Sequence, residues 1–176
     1  MMSIEDFLQE KRGKIIKKWR DAIVASYPSE TRAFLKKEQD QFSNPVGLII
    51  VNEIERLFDA LVKGSHKHQI SSSLDKIIRV RAVQDFSPSD ALAFIFQLKD
   101  IIMIELERAG SSLDALKETG DFFGRIDRVA LLAFDVYMEC RQKLNDIRVN
   151  EVKNEVGRLL ERANQLHNAP PQEQGL

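Results

Sequence analysis

The chain has few cysteines, few aromatic side chains and few of the residues that interrupt helices. Its 176 residues include one cysteine, five prolines, eight glycines and two tyrosines. A single cysteine excludes an intramolecular disulfide and is compatible with a reducing compartment. The closely spaced turns that an all-β domain requires have no counterpart in this composition. The sequence therefore predicts a mainly α-helical protein.

Long hydrophobic runs and an excess of charge of either sign are also missing. The longest apolar runs have six residues, as in Val129 to Phe134, whereas a membrane-spanning helix needs about 20. The N-terminal residues show no apolar stretch after a basic head, which predicts no secretory signal. The net charge of −1 gives no electrostatic reason to bind nucleic acid or an anionic membrane. We expect a cytoplasmic protein that binds no nucleic acid and does not insert into a membrane.

Capping signals mark the ends of several helices. Ser3 with Asp6, and Ser87 with Asp90, have the spacing of N-terminal caps. Gly64 follows an apolar helical pattern at a position where a left-handed C-terminal cap belongs. These signals predict helix starts after residues 3 and 87 and a helix end at residue 64.

Two segments between these caps are interpreted from their polarity. The polar stretch from Ser65 to Ser73 is interpreted as a loop, with a new helix beginning at Ser73. The helix that follows Ser87 is apolar on most sides, which predicts a position surrounded by other helices. The basic residues Lys11, Lys14 and Lys18 are interpreted as a solvated face of the first helix rather than a nucleic-acid contact.

From Asp121 to Leu166 the sequence has no proline and only two glycines, Gly124 and Gly157, which predicts one long helix. Residues 126–144 are apolar nearly all round, which predicts a core position. Beyond them, apolar residues recur at alternating offsets of 3 and 4, the pattern of a heptad seam. The seam consists of Val149, Val152, Val156, Leu159, Ala163 and Leu166. It must be buried on the same domain, on a twin subunit or on another protein; a homodimer through this helix and a separate regulatory partner are both expected.

These features predict a single all-α domain with a long C-terminal helix. We expect a helical sensor or regulatory domain over residues 1–148 and an amphipathic helical extension over residues 149–168. Residues 169–176 are expected to be a disordered tail.

Several polar residues interrupt otherwise apolar segments and form a candidate site. They are Arg79, Arg81, Gln84 and Asp135. Because unpaired buried charge is costly, Asp135 is expected to meet a cation, and Arg79 or Arg81 is the obvious partner. A structural ion pair and a ligand pocket are both compatible with this pattern.

Catalytic and metal-binding patterns are not found in the sequence. No glycine-rich phosphate loop or dinucleotide fingerprint occurs, and no histidine has a glutamate three residues before it. His66 and His68 are interpreted as exposed loop residues, and Cys140 as a buried, unreactive thiol. We expect no catalytic residue, no metal and no cofactor.

Four stretches of the sequence resemble one known family. The first is YP at residues 27–28 followed by FL at residues 34–35, and the second is FSNPVG from Phe42 to Gly47. The third is IIRVRAVQDFSPSDALAFIFQLK from Ile77 to Lys99, and the fourth is LAFDVYMECR at residues 132–141 with RVNEV at residues 148–152. They resemble the N-terminal domain of RsbRD-type proteins, relatives of the RsbR sensors that act as co-antagonists of the RsbT kinase in bacterial stress signalling. The resemblance covers roughly residues 5–165.

The resemblance implies a dimeric, globin-like helical sensor domain without haem, whose last helix leads to an output. In the stressosome proteins a STAS domain follows this type of domain. No such segment follows in this sequence, which predicts a stand-alone regulator that acts through another protein. Two alternatives remain: a structural adaptor or assembly protein for a redox or other multi-protein complex, and a globin-like sensor that binds haem or a metal.

Overall fold

The computed structural model describes residues 3–37, 45–64, 67–84, 86–110 and 113–167, and the side chains of most of them. These residues form seven α-helices and no β-strand. The helices are α1 (Ile4–Glu10), α2 (Arg12–Ala25), α3 (Ser29–Lys37), α4 (Pro45–Val62), α5 (Lys67–Val83), α6 (Pro88–Arg108) and α7 (Leu113–His167). The predicted all-α fold with a long C-terminal helix is confirmed.

The predicted caps are present and fix three helix ends. The hydroxyl of Ser3 accepts a hydrogen bond from the amide of Asp6 at 3.1 Å, and the Asp6 carboxylate accepts one from the Ser3 amide. Ser87 likewise accepts a hydrogen bond from the Asp90 amide at 3.1 Å. Gly64 has a φ of 61°, in the left-handed region where a side chain would introduce strain. Local sequence is therefore sufficient to place these ends.

Two predicted helix boundaries are wrong. Helix α5 begins at Lys67 rather than at Ser73, because Ile70 packs its side chain against the core and anchors a polar first turn. Helix α7 begins at Leu113 and continues through Gly120, where the preceding Thr119 and the following Phe122 are buried. Tertiary packing outweighs the weak helix propensity of the intervening residues in both cases.

The core lies where α4 packs against α5 and α2 packs against α6. Trp19 of α2 is fully buried, and its ring stacks on Phe94 of α6 with centroids 6.0 Å apart. The Trp19 indole N–H also donates a hydrogen bond of 2.7 Å to the carbonyl oxygen of Phe94. Cys140, predicted to be buried, is buried in the same core.

Removing the Trp19 hydrogen bond is expected to have a measurable cost. We expect Trp19→Phe to lower the free energy of unfolding by about 2 kcal/mol, from the lost hydrogen bond and a small cavity. Urea unfolding followed by circular dichroism measures this change. Phe96→Leu on the exposed side of α6 serves as the control and should change the stability much less; equal losses in both variants would contradict the interpretation.

The structure divides into two compact units, Met1–Cys140 and Arg141–Leu176. The division falls earlier in the chain than the predicted boundary at residue 148. The predicted disordered tail, residues 169–176, lies outside the described residues. Among the described residues, no helix is long and apolar enough to cross a membrane.

Candidate functional site

A fully buried arginine, Arg81, lies near the C-terminal end of α5 with an exposure of 0 %. Its Cζ atom lies 4.1 Å from the ring centroid of Phe86, 5.3 Å from that of Tyr27 and 5.8 Å from that of Phe94. Its Nη2 atom donates hydrogen bonds to Ser26 Oγ at 3.0 Å and to the main-chain oxygen of Asp90 at 2.9 Å. Arg81 thus connects the end of α2, the end of α5 and the start of α6.

The hydrogen-bonding capacity of this site is only partly used. Arg81 Nε, Arg81 Nη1 and the Tyr27 hydroxyl are buried and form no hydrogen bond within the part of the chain that the structure describes. Burial lowers the pKa of Arg81. Burial also raises the pKa of Tyr27, and the nearby positive charge of Arg81 makes this increase smaller. The aromatic rings therefore supply much of the stabilisation that a buried cation requires.

The structure does not bring the other predicted site residues to Arg81. Asp135 and Gln84 are exposed, and the predicted ion pair between Asp135 and Arg79 or Arg81 is not present. Arg79 pairs with Asp75 one helical turn away, at 2.6 Å. The prediction is wrong because Asp135 lies on a face of α7 that the described residues leave open, where its charge stays hydrated. Of the four residues, Arg81 alone is buried.

A second buried charge, Glu105, was not predicted. Its side chain is 2 % exposed and pairs with Lys14 at 2.8 Å, with Lys18 at 2.5 Å and with Arg108 at 3.3 Å. Hydrogen bonds from Lys14 and Lys18 lower the pKa of Glu105 to about 2. The two lysines interpreted as a solvated face therefore connect α2 to α6. The position of Glu105 within an apolar run of α6 was the signal available in the sequence.

The unit Met1–Cys140 also exposes an apolar groove between α6 and α7. Phe96, Leu131 and Phe134 line it, and each is more than 40 % exposed. Gln97 also lines the groove, and its buried Oε1 accepts no hydrogen bond from a described residue. Two predictions are thereby corrected: α6 is not covered on every side, and residues 126–144 are not buried all round. Both segments were predicted to be buried on all sides because they are apolar on most of their faces. Hydrophobicity alone does not reveal which face a neighbouring helix covers.

The predicted heptad seam lies in the second unit and is exposed. Val149, Val152, Val156 and Leu159 are between 48 and 59 % exposed, and Ala163 is also exposed. The side chain of Leu166 lies outside the described residues. Within its own unit, the described seam is therefore not covered by another element.

No metal-binding cluster of three or more histidine, cysteine, aspartate or glutamate side chains occurs in the described ranges. The chemistry that the described residues offer is one buried cation, Arg81, two buried carboxylates, Glu53 and Glu105, and two exposed apolar surfaces. Such groups hold helices together and bind other molecules.

The sequence matches the family described as the RsbT co-antagonist protein rsbRD N-terminal domain over residues 13–152. This match covers most of the 176 residues. The chain belongs to the RsbRD N-terminal domain family. The resemblance identified from sequence motifs is thus confirmed. The description of this RsbRD N-terminal domain family indicates a regulatory role.

One relative of this RsbRD N-terminal domain is an uncharacterized protein of Archaeoglobus fulgidus. The two sequences are 27% identical over 146 residues, which cover 80% of this chain and 83% of the relative. No solved structure matches the chain. The globin-like arrangement implied by the family resemblance therefore stays a prediction.

Proposed function

We propose that this RsbRD N-terminal domain is a non-enzymatic regulatory domain that acts in signal transduction through protein–protein contact, and that it forms a homodimer through its C-terminal helix. The exposed seam of residues 149–163 carries this proposal. The family supports the regulatory role, and the seam supplies a surface through which a signal can be transmitted to another chain.

The seam lies in the unit Arg141–Leu176. The described helical residues of this unit, 141–167, span about 40 Å at 1.5 Å per residue. Helices in proteins depend mostly on the burial of an apolar face for their stability. Because Val149, Val152, Val156 and Leu159 are about half exposed in the isolated chain, a partner that covers them would stabilise this helix.

A second copy of the chain fits the composition of this seam. Val149 and Val156 occupy the a positions of the heptad, and Val152 and Leu159 occupy the d positions. β-Branched residues at a with leucine at d favour two-stranded coiled coils, and Val149, Val156 and Leu159 follow this pattern. The helix faces outside the seam are rich in charge, and the exposed Leu160 extends the apolar surface beside the seam.

A charge placed in the seam is expected to separate the two copies. We expect the full chain to be a dimer by size-exclusion chromatography with light scattering. We expect the double variant Val152→Glu/Val156→Glu to dissociate at least a hundredfold more readily, because each copy would bury two carboxylates. The matched control is Asn150→Glu/Asn154→Glu, which adds the same charge at exposed positions outside the seam.

The control variant should remain dimeric, and both variants should keep the thermal unfolding transition of the N-terminal unit. A monomeric wild-type chain at high micromolar concentration, or a double variant that dimerises as tightly as wild type, would show that the seam is not a homodimer contact.

The regulatory part of the proposal requires a partner protein. We expect affinity capture from the native cell to recover the same regulatory protein with wild-type chain and with Asn150→Glu/Asn154→Glu. The chain cut after Arg148 should lose it. Equal recovery with the shortened chain would exclude the C-terminal helix as the output element.

A further inference from the structure

A pocket at the C-terminal end of α4 combines an apolar floor with two arginines, and we propose that it binds a small amphiphilic carboxylate, an anion with a short aliphatic chain. The pocket has a volume of about 360 Å³. Leu61, Ile70, Val129 and Leu132 form its apolar surface, and Arg125 and Arg128 supply its charge. We call it the arginine-rimmed pocket.

The spacing of four lining residues explains how α7 contributes both kinds of surface. Arg125, Arg128, Val129 and Leu132 lie at offsets of 3, 1 and 3 in the sequence. Residues three, four and seven positions apart share one face of an α-helix. One helix face thus carries two cationic and two apolar side chains into the same pocket.

Arg125 forms an ion pair with Glu5, so the uncompensated charge of the pocket is that of Arg128. Arg125 donates hydrogen bonds to the main-chain oxygen of Leu61 at 3.3 Å and to Glu5 at 3.1 Å. Arg128 forms no hydrogen bond or ion pair with any residue that the structure describes, and none of the described residues that line the pocket carries a carboxylate. An anionic ligand would therefore meet a guanidinium whose donors are free.

The apolar surface of the pocket would contact the aliphatic chain of the ligand. Leu61 and Val129 are buried, whereas Ile70 and Leu132 are only partly buried and pack on the core from the pocket side. Covering these partly buried side chains with an aliphatic chain removes apolar surface from water. The volume lies within the range of natural small-ligand pockets.

Two other pockets lack this combination. Acidic side chains line the pocket between α4 and α5 together with the basic ones, and Glu53 pairs with Lys76 at 2.7 Å and with Arg56 at 3.1 Å. The groove between α6 and α7 is apolar, and its described lining residues include Asp100 and no cation. Charge and apolar surface together therefore favour the arginine-rimmed pocket for an amphiphilic anion.

Octanoate is a suitable probe, with octan-1-ol and acetate as its matched neutral and tail-free counterparts. By isothermal titration calorimetry of the full chain, we expect octanoate to bind at least tenfold more tightly than octan-1-ol, because it adds a charge-assisted hydrogen bond. Hexanoate should bind roughly tenfold more weakly than octanoate, since each methylene contributes about a three- to fourfold factor. Acetate should show no saturable binding.

Substitution of Arg128 tests the site directly. Arg128→Gln should weaken octanoate binding at least fivefold and leave octan-1-ol unchanged. Arg158→Gln, which removes an exposed arginine of the second unit, is the matched control and should bind octanoate like wild type. Leu132→Trp, which fills the pocket, should weaken binding of both octanoate and octan-1-ol; thermal unfolding verifies that each variant is folded.

Equal affinity for octanoate and octan-1-ol, or equal octanoate affinity in wild type and Arg128→Gln, would overturn the proposal. Absence of saturable octanoate binding below its micelle concentration would do the same. The outcome is independent of the proposed homodimer, because Val152→Glu/Val156→Glu is expected to bind octanoate with wild-type affinity.

Discussion

Replacing Arg81 with alanine is expected to lower the free energy of unfolding by about 3 kcal/mol, whereas replacing it with methionine should change it by no more than about 1 kcal/mol. Alanine leaves a cavity between the rings of Tyr27, Phe86 and Phe94, which surround the guanidinium. Methionine refills that space and removes a buried charge whose Nε and Nη1 form no hydrogen bond with described residues. Urea unfolding monitored by circular dichroism distinguishes these outcomes.

Two further variants make the Arg81 experiment specific. Arg81→Lys should destabilise by about 2 kcal/mol, because an ammonium is more strongly hydrated than a guanidinium and cannot stack on the rings. Arg79→Ala removes an arginine whose ion pair with Asp75 is partly exposed, and it should cost less than about 0.5 kcal/mol. If Arg81→Met lowers the free energy of unfolding as much as Arg81→Ala does, the charge itself stabilises the fold. The interpretation that side-chain packing against the three rings is the main contribution would then be wrong.

The charge of Glu105 is expected to make stability depend on pH in the acidic range. Hydrogen bonds from Lys14 and Lys18 lower its pKa from 4.5 to about 2 in the folded protein. The unfolded chain therefore binds the proton at higher pH than the folded one, so the contribution of Glu105 is complete above about pH 4.5. It is lost as the pH falls toward 2, because protonation then occurs in the folded state as well.

Glu105→Gln measures this contribution. At pH 7 the variant is expected to be less stable than wild type by about 2 kcal/mol, a value reduced by the solvent exposure of Lys14. The difference between variant and wild type should shrink between pH 4.5 and pH 2 in urea unfolding experiments. Glu107→Gln, at an exposed position of the same helix, should follow the wild-type profile. A difference that does not vary with pH would indicate that the side-chain amide disturbs packing rather than charge.

Local signals in the sequence predicted the features that depend on neighbouring residues. The caps at Ser3 and Ser87 and the left-handed Gly64 are present, because a cap needs only residues three or four positions away. The heptad seam was visible for the same reason, since its period belongs to one helix. The family was also identified from contiguous motifs.

Features that depend on distant residues were not predicted. Asp135 was expected in the core because its neighbours in sequence are apolar, but it is exposed. Ser26, which accepts a hydrogen bond from Arg81, and Lys18, which pairs with Glu105, lie 55 and 87 residues away from these charges in the sequence. Such partners cannot be chosen from spacing, since several helical packings satisfy the same apolar pattern.

The sequence by itself determined that the protein is helical, where three helix ends lie, which family it belongs to and that its last helix carries an apolar seam. The family follows from contiguous motifs, and the other three properties follow from local propensity and periodicity. The tertiary structure decided which charges are buried and which apolar helix faces stay exposed. It also decided that Arg128 lies beside the apolar surface of the arginine-rimmed pocket. Burial is a property of the packed assembly of helices, and hydrophobicity along one helix does not specify which neighbour covers it.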